Sequence, residues 1–345
     1  MAKCGTWLAG FCCLMLGAVA ARAQSLRLGV PFPQDSQEWK AAAEASAEIA
    51  RATDNRVKIV LSAPDLQAGT AGRIARGVLD GGLITGTDAT ELELGPDAMA
   101  YAVPFSLTSA EQVDFVRRRL DGEVLARLSA GPYEALAISG FGFAHVMSCK
   151  PLSSPADWRT LRIWMPIEGE GWLAQMLKDL GLQAVRLPAN KVREGLNTGT
   201  VDTLILPPAG AILKRWHTRL KVCFDVPYAY TYGIWVVRDA AVDKLTAADR
   251  KLVREHLTGR LEQIARQRRQ SALDVLRKWR LEFVTPDAVM QAQWNRWSVA
   301  VWDILGPKLR PSESLEALLK EQLQAFTDQQ ERKAVPPRTR PEGTP

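Results

Sequence analysis

The sequence predicts an α/β protein built as two lobes that share one long helix. Three observations support this. Short apolar segments alternate with amphipathic segments in the order β-α-β-α-β up to about residue 85, the pattern of a sheet covered by helices. A second alternation of the same kind runs from about residue 135 to residue 237. A helical stretch without proline then extends from Thr246 to about Glu282, which at about 1.5 Å per residue can cross two lobes.

The first residues predict an export signal. Lys3 is followed by the apolar run from Trp7 to Ala20 and then by Ala21-Arg22-Ala23, which has small residues where signal peptidase needs them. The apolar run is shorter than the roughly 20 residues of a spanning helix, so a membrane anchor is the weaker alternative. Residues 1–23 are therefore predicted to be cleaved, and the mature protein is predicted to be periplasmic and not membrane-spanning.

The first lobe is predicted over residues 24–135. Strand-like segments at Ser25–Val30, Val57–Ser62 and Leu83–Thr85 alternate with helical segments at Gln37–Ala52 and Arg73–Leu79.

The second lobe is predicted over residues 136–235, with strands crossing between the lobes. Strand-like and helical segments alternate here too, and they end at the apolar strand Ile234–Val237. Residues 236–330 are predicted to form the long helix and two C-terminal helices that brace both lobes. Thr246 is the expected N-cap of the long helix, which continues unless Gly259 breaks it. Residues 331–345, rich in proline, are predicted to be a disordered tail.

The motifs of common enzymes are absent from the sequence. The chain has three histidines, none in a metal-binding spacing, and it has no nucleophile elbow, P-loop or complete dinucleotide-binding glycine motif. No enzyme activity, cofactor or metal is therefore predicted.

The net charge of +6 is small and dispersed, so no nucleic-acid partner is predicted. Of five cysteines, Cys149 and Cys223 follow the signal, and they form either a disulfide or two buried thiols.

Several motifs resemble those of the DctP-type receptors of TRAP (tripartite ATP-independent periplasmic) transporters, in the family's order. They are Thr53-Asp54-Asn55-Arg56-Val57, the segment 76–82, Pro104-Phe105, the segment 150–166 with Lys150-Pro151-Leu152 and Leu161-Arg162-Ile163, and the segment 196–202, LNTGTVD. The resemblance covers about residues 25–286. It implies a two-lobed periplasmic-binding-protein fold with a ligand cleft between the lobes, hinge closure over a small-molecule ligand, and TRAP membrane subunits as partners.

Three departures from the family's motifs concern the ligand. Trp164 stands where the family's "L-K-I-R-V-P" motif places an arginine that binds the ligand's carboxylate. Leu206 stands at the position of a ligand-binding asparagine, and Ala144 at a position that is often basic. A carboxylate without charge-assisted partners would keep its desolvation cost, so an apolar, aromatic or uncharged ligand is expected.

The remaining candidate ligand residues lie near these three positions or after the first strand. They are Phe143, Arg162, Tyr230, Ser36 and Trp39. These residues also have alternative roles. Trp164 and Trp39 could fill the core, and Tyr230 could be a packing residue. Arg162 could bind an anion, because it lies on the same strand face as Trp164. A periplasmic sensor or assembly protein of the same fold, without a transport ligand, is the alternative function.

Overall fold

The structure is a computed structural model that describes residues 23–64, 69–85, 88–104, 106–129, 131–152, 154, 156–167 and 171–334. Nearly all of the predicted signal and the tail from residue 335 lie outside these residues. The strands are β1 (Gln24–Gly29), β2 (Val57–Ser62), β3 (Gly81–Thr85), β4 (Tyr133–Ser148), β5 (Arg162–Met165), β6 (Gln183–Arg186), β7 (Thr203–Leu206), β8 (Val222–Phe224), β9 (Ala229–Arg238) and β10 (Glu282–Val284). The helices are α1 (Gln37–Ala52), α2 (Thr70–Ala75), α3 (Ala110–Leu128), α4 (Gly171–Asp179), α5 (Val192–Thr198), α6 (Pro208–Leu213), α7 (Asp239–Val242), α8 (Ala247–Lys278), α9 (Ala288–Leu309) and α10 (Glu313–Ala334).

The first lobe is a sheet with strand order β2-β1-β3-β9-β4, in which β1 is parallel to both β2 and β3. Its α1 begins at Ser36, whose side chain caps the backbone N–H of Trp39. Leucine, isoleucine and alanine side chains bury one face of the sheet against α1 and α8, and the other face against α3 and α10. The early β-α-β-α-β prediction is confirmed by this order of elements.

The second lobe has parallel strands β7, β5 and β6, continued from β4. The short strands β8 and β10 pair with each other, and β8 also pairs with β4. Tryptophans dominate this core, where Trp158 contacts both Trp294 and Trp297 of α9 edge-on.

The strands β4 and β9 connect the lobes. They pair antiparallel from Tyr133 to Ala144, and β4 then continues into the second lobe to pair with β7. The sequence predicted two strands, 135–139 and 143–148, because Gly140 and Gly142 interrupt the apolar pattern. The structure instead has a single strand with a register shift between these glycines, and Gly142 has a positive φ of 97°. The predicted lobe boundaries at 135 and 235 both fall inside these shared strands.

The long helix α8 contains 32 residues and begins at its predicted N-cap, Thr246, whose hydroxyl accepts from the Asp249 N–H. It continues through Gly259 without a break. One face packs against α1 and β4, as Val253, Leu257 and Leu261 in the core of the first lobe show. Over the described residues, none of the helices is both long and apolar enough to cross a bilayer.

Candidate ligand-binding site

A pocket of about 430 Å³ lies where β3, β5 and β7 end. Carboxyl ends of parallel strands are the usual place for ligands in α/β folds, because the chain there turns into loops that leave a crevice. The wall is completed by α4, by residues 99–104 and by the shared strands β4 and β9. The pocket therefore touches both lobes and the strands that connect them.

The described lining of this pocket contains no charged side chain. Its polar groups are the hydroxyls of Thr85, Thr231 and three tyrosines, and the rest of the lining is aliphatic, aromatic or methionine. Such a surface binds through area and shape, with a few hydroxyls to orient a ligand.

Trp164 forms part of the pocket wall at the carboxyl end of β5. Its indole N–H donates to the carbonyl of Leu187 at 2.9 Å, and its ring lies edge-on to Trp216 at 5.2 Å. These contacts fix the ring, while the side chain stays only half-buried. The pocket thus has a rigid aromatic wall at the position where the family's motif has arginine.

Ala144 and Leu206 also line the pocket, on the adjacent strands β4 and β7. Leu206 lies opposite His145 in the antiparallel ladder. The two positions at which the family's motifs have polar residues are therefore apolar in this pocket wall.

Tyr230 and Tyr232 stack along one face of β9, with ring centroids 6.0 Å apart. Tyr230 also contacts Phe143 edge-on at 5.4 Å, and its hydroxyl accepts from Arg117 at 3.1 Å. Tyr232 donates to the carbonyl of Ala98. Burial raises the pKa of Tyr230 to about 12, so the phenol is neutral at physiological pH.

Arg117 lies directly behind Tyr230 and is 8% exposed. Its guanidinium donates to both carboxylate oxygens of Asp121, to Glu262 of α8 and to the carbonyl of Ile138. The charge is therefore neutralised by protein groups, and it does not line the pocket.

Four of the eight sequence-predicted site residues meet in this pocket: Trp164, Leu206, Ala144 and Tyr230. Phe143 does not line it, because its ring packs against Tyr230 and faces small depressions beside α8.

Arg162 is not brought into the pocket. It opens β5, one pleat away from Trp164, and Asp202 accepts hydrogen bonds from its backbone N–H at 2.7 Å and its Nε at 3.3 Å. Lys150 binds the same carboxylate, so Asp202 joins the amino ends of β5 and β7 to the end of β4. The interpretation of Arg162 as an anion anchor for the ligand is therefore not supported, because its guanidinium has a structural partner.

Ser36 and Trp39 are also outside the pocket. The Ser36 hydroxyl is used within the turn, donating to the carbonyl of Pro33 at 2.6 Å and accepting from the Trp39 N–H at 3.1 Å. The ring of Trp39 lies over β2, beside Lys58. The sequence prediction places them near the ligand because they follow β1, whereas in the structure Ser36 caps α1 and Trp39 packs against the core between α1 and β2.

The sequence prediction missed other residues of the pocket wall, including Thr85, Met99, Phe141 and Ile205. Thr85 ends a predicted strand, and Phe141 stands between two glycines. Both positions could therefore have been predicted from the sequence as part of the pocket wall. Met99 ends the short 3-10 helix Pro96–Met99, and no periodicity in the sequence marked it.

The two cysteines of the described chain are free, so the thiol alternative is the one observed. Burial, with a smaller contribution from Asp202, raises the pKa of Cys149 to about 11, and burial raises that of Cys223 to about 12. His145 is buried, and its Nδ1 lies 2.8 Å from the Phe224 carbonyl, which can only accept. Within the described residues no cluster of three histidines, cysteines or carboxylates could hold a metal ion.

Residues 29–306 match the family described as bacterial extracellular solute-binding protein, family 7, named DctP. The chain belongs to the DctP family. The expected resemblance is thereby confirmed, and with it the assignment as a solute-binding receptor and not an enzyme. No curated protein matches the chain significantly by sequence.

Solved structures of TRAP periplasmic solute-binding proteins share the fold of this DctP protein. The protein from Ochrobactrum anthropi, which has its C-terminus bound in the ligand-binding pocket, superposes with a TM-score of 0.78 at 15% identity, covering 92% of this chain and 100% of that one. DctP7 of Bordetella pertussis, which binds pyroglutamic acid, gives 0.73 at 16%, covering 88% and 100%. The protein from Desulfovibrio salexigens with bound orotic acid gives 0.72 at 15%, covering 88% and 99%.

Proposed function

We propose that this DctP protein is a periplasmic receptor that delivers an apolar, aromatic or otherwise uncharged small molecule to a TRAP-type secondary transporter. The observation that carries the proposal is the described lining of the pocket, which contains no charged side chain and places Trp164, Leu206 and Ala144 where the family's motifs have polar anchors. Its volume is within the range of about 300–1,000 Å³ of sites for small organic molecules.

Binding of a carboxylate ligand is disfavoured because the carboxylate would lose its hydration on entering this pocket. Charge-assisted hydrogen bonds contribute about 1.5–3 kcal/mol each, and a carboxylate without them retains the cost of leaving water. The related receptors above hold carboxylic acids, namely pyroglutamic and orotic acid. Arg117 and Arg162 have their carboxylate partners within the protein and are not available to replace the lost anchor.

Trp164 is the residue that we expect to contribute most to affinity. Its orientation is fixed by Leu187 and Trp216, so binding need not restrict the ring. Aromatic contacts contribute about 0.5–1.5 kcal/mol beyond the area they bury. The stacked pair of Tyr230 and Tyr232 offers a second aromatic surface in the same pocket.

Secretion and delivery to membrane subunits are the remaining parts of the proposal. They rest on the signal-like residues 1–23 and on membership of a family of extracellular solute-binding proteins. The N-terminal sequence of the protein purified from the periplasm tests the first part, and the expected mature N-terminus is Gln24.

The ligand class is tested with pairs of compounds that differ only in charge, such as pyroglutamate with pyroglutamide and benzoate with benzamide. Thermal unfolding is recorded with each compound, since a ligand that binds only the folded state raises the midpoint. We expect larger shifts with the neutral member of a pair. Consistently larger shifts with the acids would contradict the proposal, and a protein that carries no small molecule in native mass spectrometry and responds to no metabolite would favour the sensor or assembly alternative.

The site itself is tested with Trp164→Ala against the control Trp279→Ala, a tryptophan that is 57% exposed and outside the pocket. We expect Trp164→Ala to weaken the best neutral ligand roughly tenfold or more, from the loss of an anchoring aromatic. The control should bind as the unmodified protein does, and calorimetric titration measures both. Equal affinities for the two variants would place the ligand elsewhere.

A further inference from the structure

Six exposed cations lie in two contacting segments, residues 213–221 after α6 and residues 278–280 at the end of α8, which also contain the exposed tryptophan Trp279. We call them the basic patch. They are Lys214, Arg215, Arg219, Lys221, Lys278 and Arg280. The ring of Trp279 lies edge-on to His217 at 5.0 Å, and the backbone N–H of Glu282 donates to the carbonyl of Lys221, so the two segments are in contact.

The basic patch lacks the carboxylate partners that arginines elsewhere on α8 have. Earlier in that helix, each of four arginines has a carboxylate oxygen within 3.0 Å: Arg250, Arg254, Arg260 and Arg266. Within the described residues, none of the six patch cations has a carboxylate within 4.0 Å. The neighbouring Arg277 does, and it pairs with Asp225 and Asp274.

Cations are dense in this patch, which departs from the expectation from sequence that the positive charge is dispersed along the chain. Residues 213–221 contain four cations and no carboxylate, and among residues 278–282 Glu282 is the single acid beside two cations. The whole chain of 345 residues has a net charge of only +6. A field from so many uncompensated charges extends about a Debye length, near 8–10 Å, into solution.

Two of these arginines occupy a conformation that favours glycine. Arg215 and Arg280 follow the C-caps of α6 and α8 with φ of 55° and 60°. Glycine is the usual residue there, because it lacks the Cβ that makes the left-handed region unfavourable. Cations do suit a helix C-terminus, but that effect does not account for the exposure of Trp279, or of Leu213 at the end of α6, which is 54% exposed.

We propose that the basic patch adsorbs the protein reversibly to a bilayer that contains anionic phospholipids. Tryptophan rings reside at the headgroup level of membranes, and lysine and arginine bind the negative surface. This proposal goes beyond ligand delivery and requires no ligand in the pocket. One exposed aromatic ring and one leucine are too little apolar surface for permanent anchoring, so binding is expected to depend strongly on ionic strength.

The test uses the purified mature protein and sedimentation with vesicles of phosphatidylcholine, with or without phosphatidylglycerol. We expect binding to the vesicles that contain phosphatidylglycerol, little binding to phosphatidylcholine alone, and release by salt. Each cation near an anionic surface should contribute about fivefold to the partition coefficient.

The decisive variant is Arg215→Gly/Arg280→Gly, which removes two charges and places glycine where φ favours it. Its melting temperature should not fall, and its partition coefficient should fall about 25-fold. The control, Arg51→Gln/Lys58→Gln, removes two exposed cations of the first lobe, on α1 and β2, and should bind as the unmodified protein does. A blue shift of fluorescence on vesicle binding should disappear in Trp279→Phe.

Three results would overturn the proposal: no binding to phosphatidylglycerol vesicles at low salt, equal binding to both kinds of vesicle, or equal losses in the glycine variant and the control. Binding to an acidic protein without any binding to vesicles would also overturn it, and would assign the patch to a protein partner.

Discussion

At the scale of single residues, Arg117 is the clearest case of a charge placed for structure. Its guanidinium joins α3 to α8 through Glu262 and to β9 through the Tyr230 hydroxyl. A buried cation needs such partners, because an isolated charge in the interior is costly. The residue thereby holds one wall of the pocket in place without contacting the ligand space.

Replacing Arg117 by methionine should destabilise the protein by about 3–5 kcal/mol, because Asp121 and Glu262 would be left as partly buried carboxylates without their cation. Urea unfolding measures the change. The control, Arg118→Met, alters the exposed neighbour and should stay within about 0.5 kcal/mol.

The double variant Arg117→Met/Glu262→Gln should recover part of the lost stability. Strictly additive losses would show that the pair is not coupled.

Sequence alone located some of these residues and not others. Trp164, Leu206 and Ala144 were found because short motifs fixed their positions in the chain. The partner of Arg162 was not predictable, since strand alternation gives the face of a side chain but not its partner, here Asp202, forty residues away. Arg117 stands in a run of three arginines, and nothing local distinguishes the buried one.

At the scale of elements, α8 shows that a glycine need not end a helix. Gly259 is exposed in its interior, and a Cβ added there would have nothing within 4 Å. The capping threonine and the apolar face toward α1 and β4 keep the helix continuous, since tertiary contacts outweigh the weak propensity of a single residue.

Gly259→Ala should therefore stabilise the protein, by about 0.5–1 kcal/mol, through reduced freedom of the unfolded chain and better helix propensity. Thermal and urea unfolding measure it. The contrasting variant Gly140→Ala should destabilise, because its Cβ would clash with the Tyr230 hydroxyl oxygen. A loss of stability in Gly259→Ala would indicate that α8 is distorted at this point.

The predicted elements were most accurate where periodicity was long and undisturbed, as in α1, α8 and the strands of the first lobe. For two elements that are continuous in the structure, the sequence predicted a break. A bulge at Gly140 and Gly142 separated β4 into two predicted strands. Because of Gly122, the sequence also predicts two helices, 109–119 and 122–128, where the structure has the single helix α3. A glycine in the sequence indicates only that the backbone can bend at that point. Whether the element continues depends on tertiary contacts, which are pairing with β9 for β4 and packing against α10 for α3.

At the scale of the whole molecule, ion pairs attach α8 to the first lobe. Asp249 accepts from Arg56 at 2.9 Å, and Glu48 of α1 accepts from Arg260 at 2.6 Å. These hydrogen bonds to arginine hold the pKa of both carboxyls below the usual values, despite the opposing effect of desolvation.

Folding stability should consequently fall in acid. A carboxyl whose pKa is lower in the folded state stabilises the protein above its unfolded pKa, about 3.9 for Asp and 4.3 for Glu, and that stabilisation is lost as the pH falls through the folded value. Urea unfolding from neutral to acidic pH measures the slope. Asp249→Asn and Glu48→Gln should each flatten it, because each variant removes one of these two carboxyls.

The place of β9 in the first sheet has a consequence for biosynthesis. This strand lies between β3 and β4 and is the antiparallel partner of both, yet it is the last of the five to leave the ribosome. Until Arg238 has been made, the nascent N-terminal half lacks the centre of its sheet and cannot close its core. Completion of the first lobe is thus deferred until the second has been synthesised.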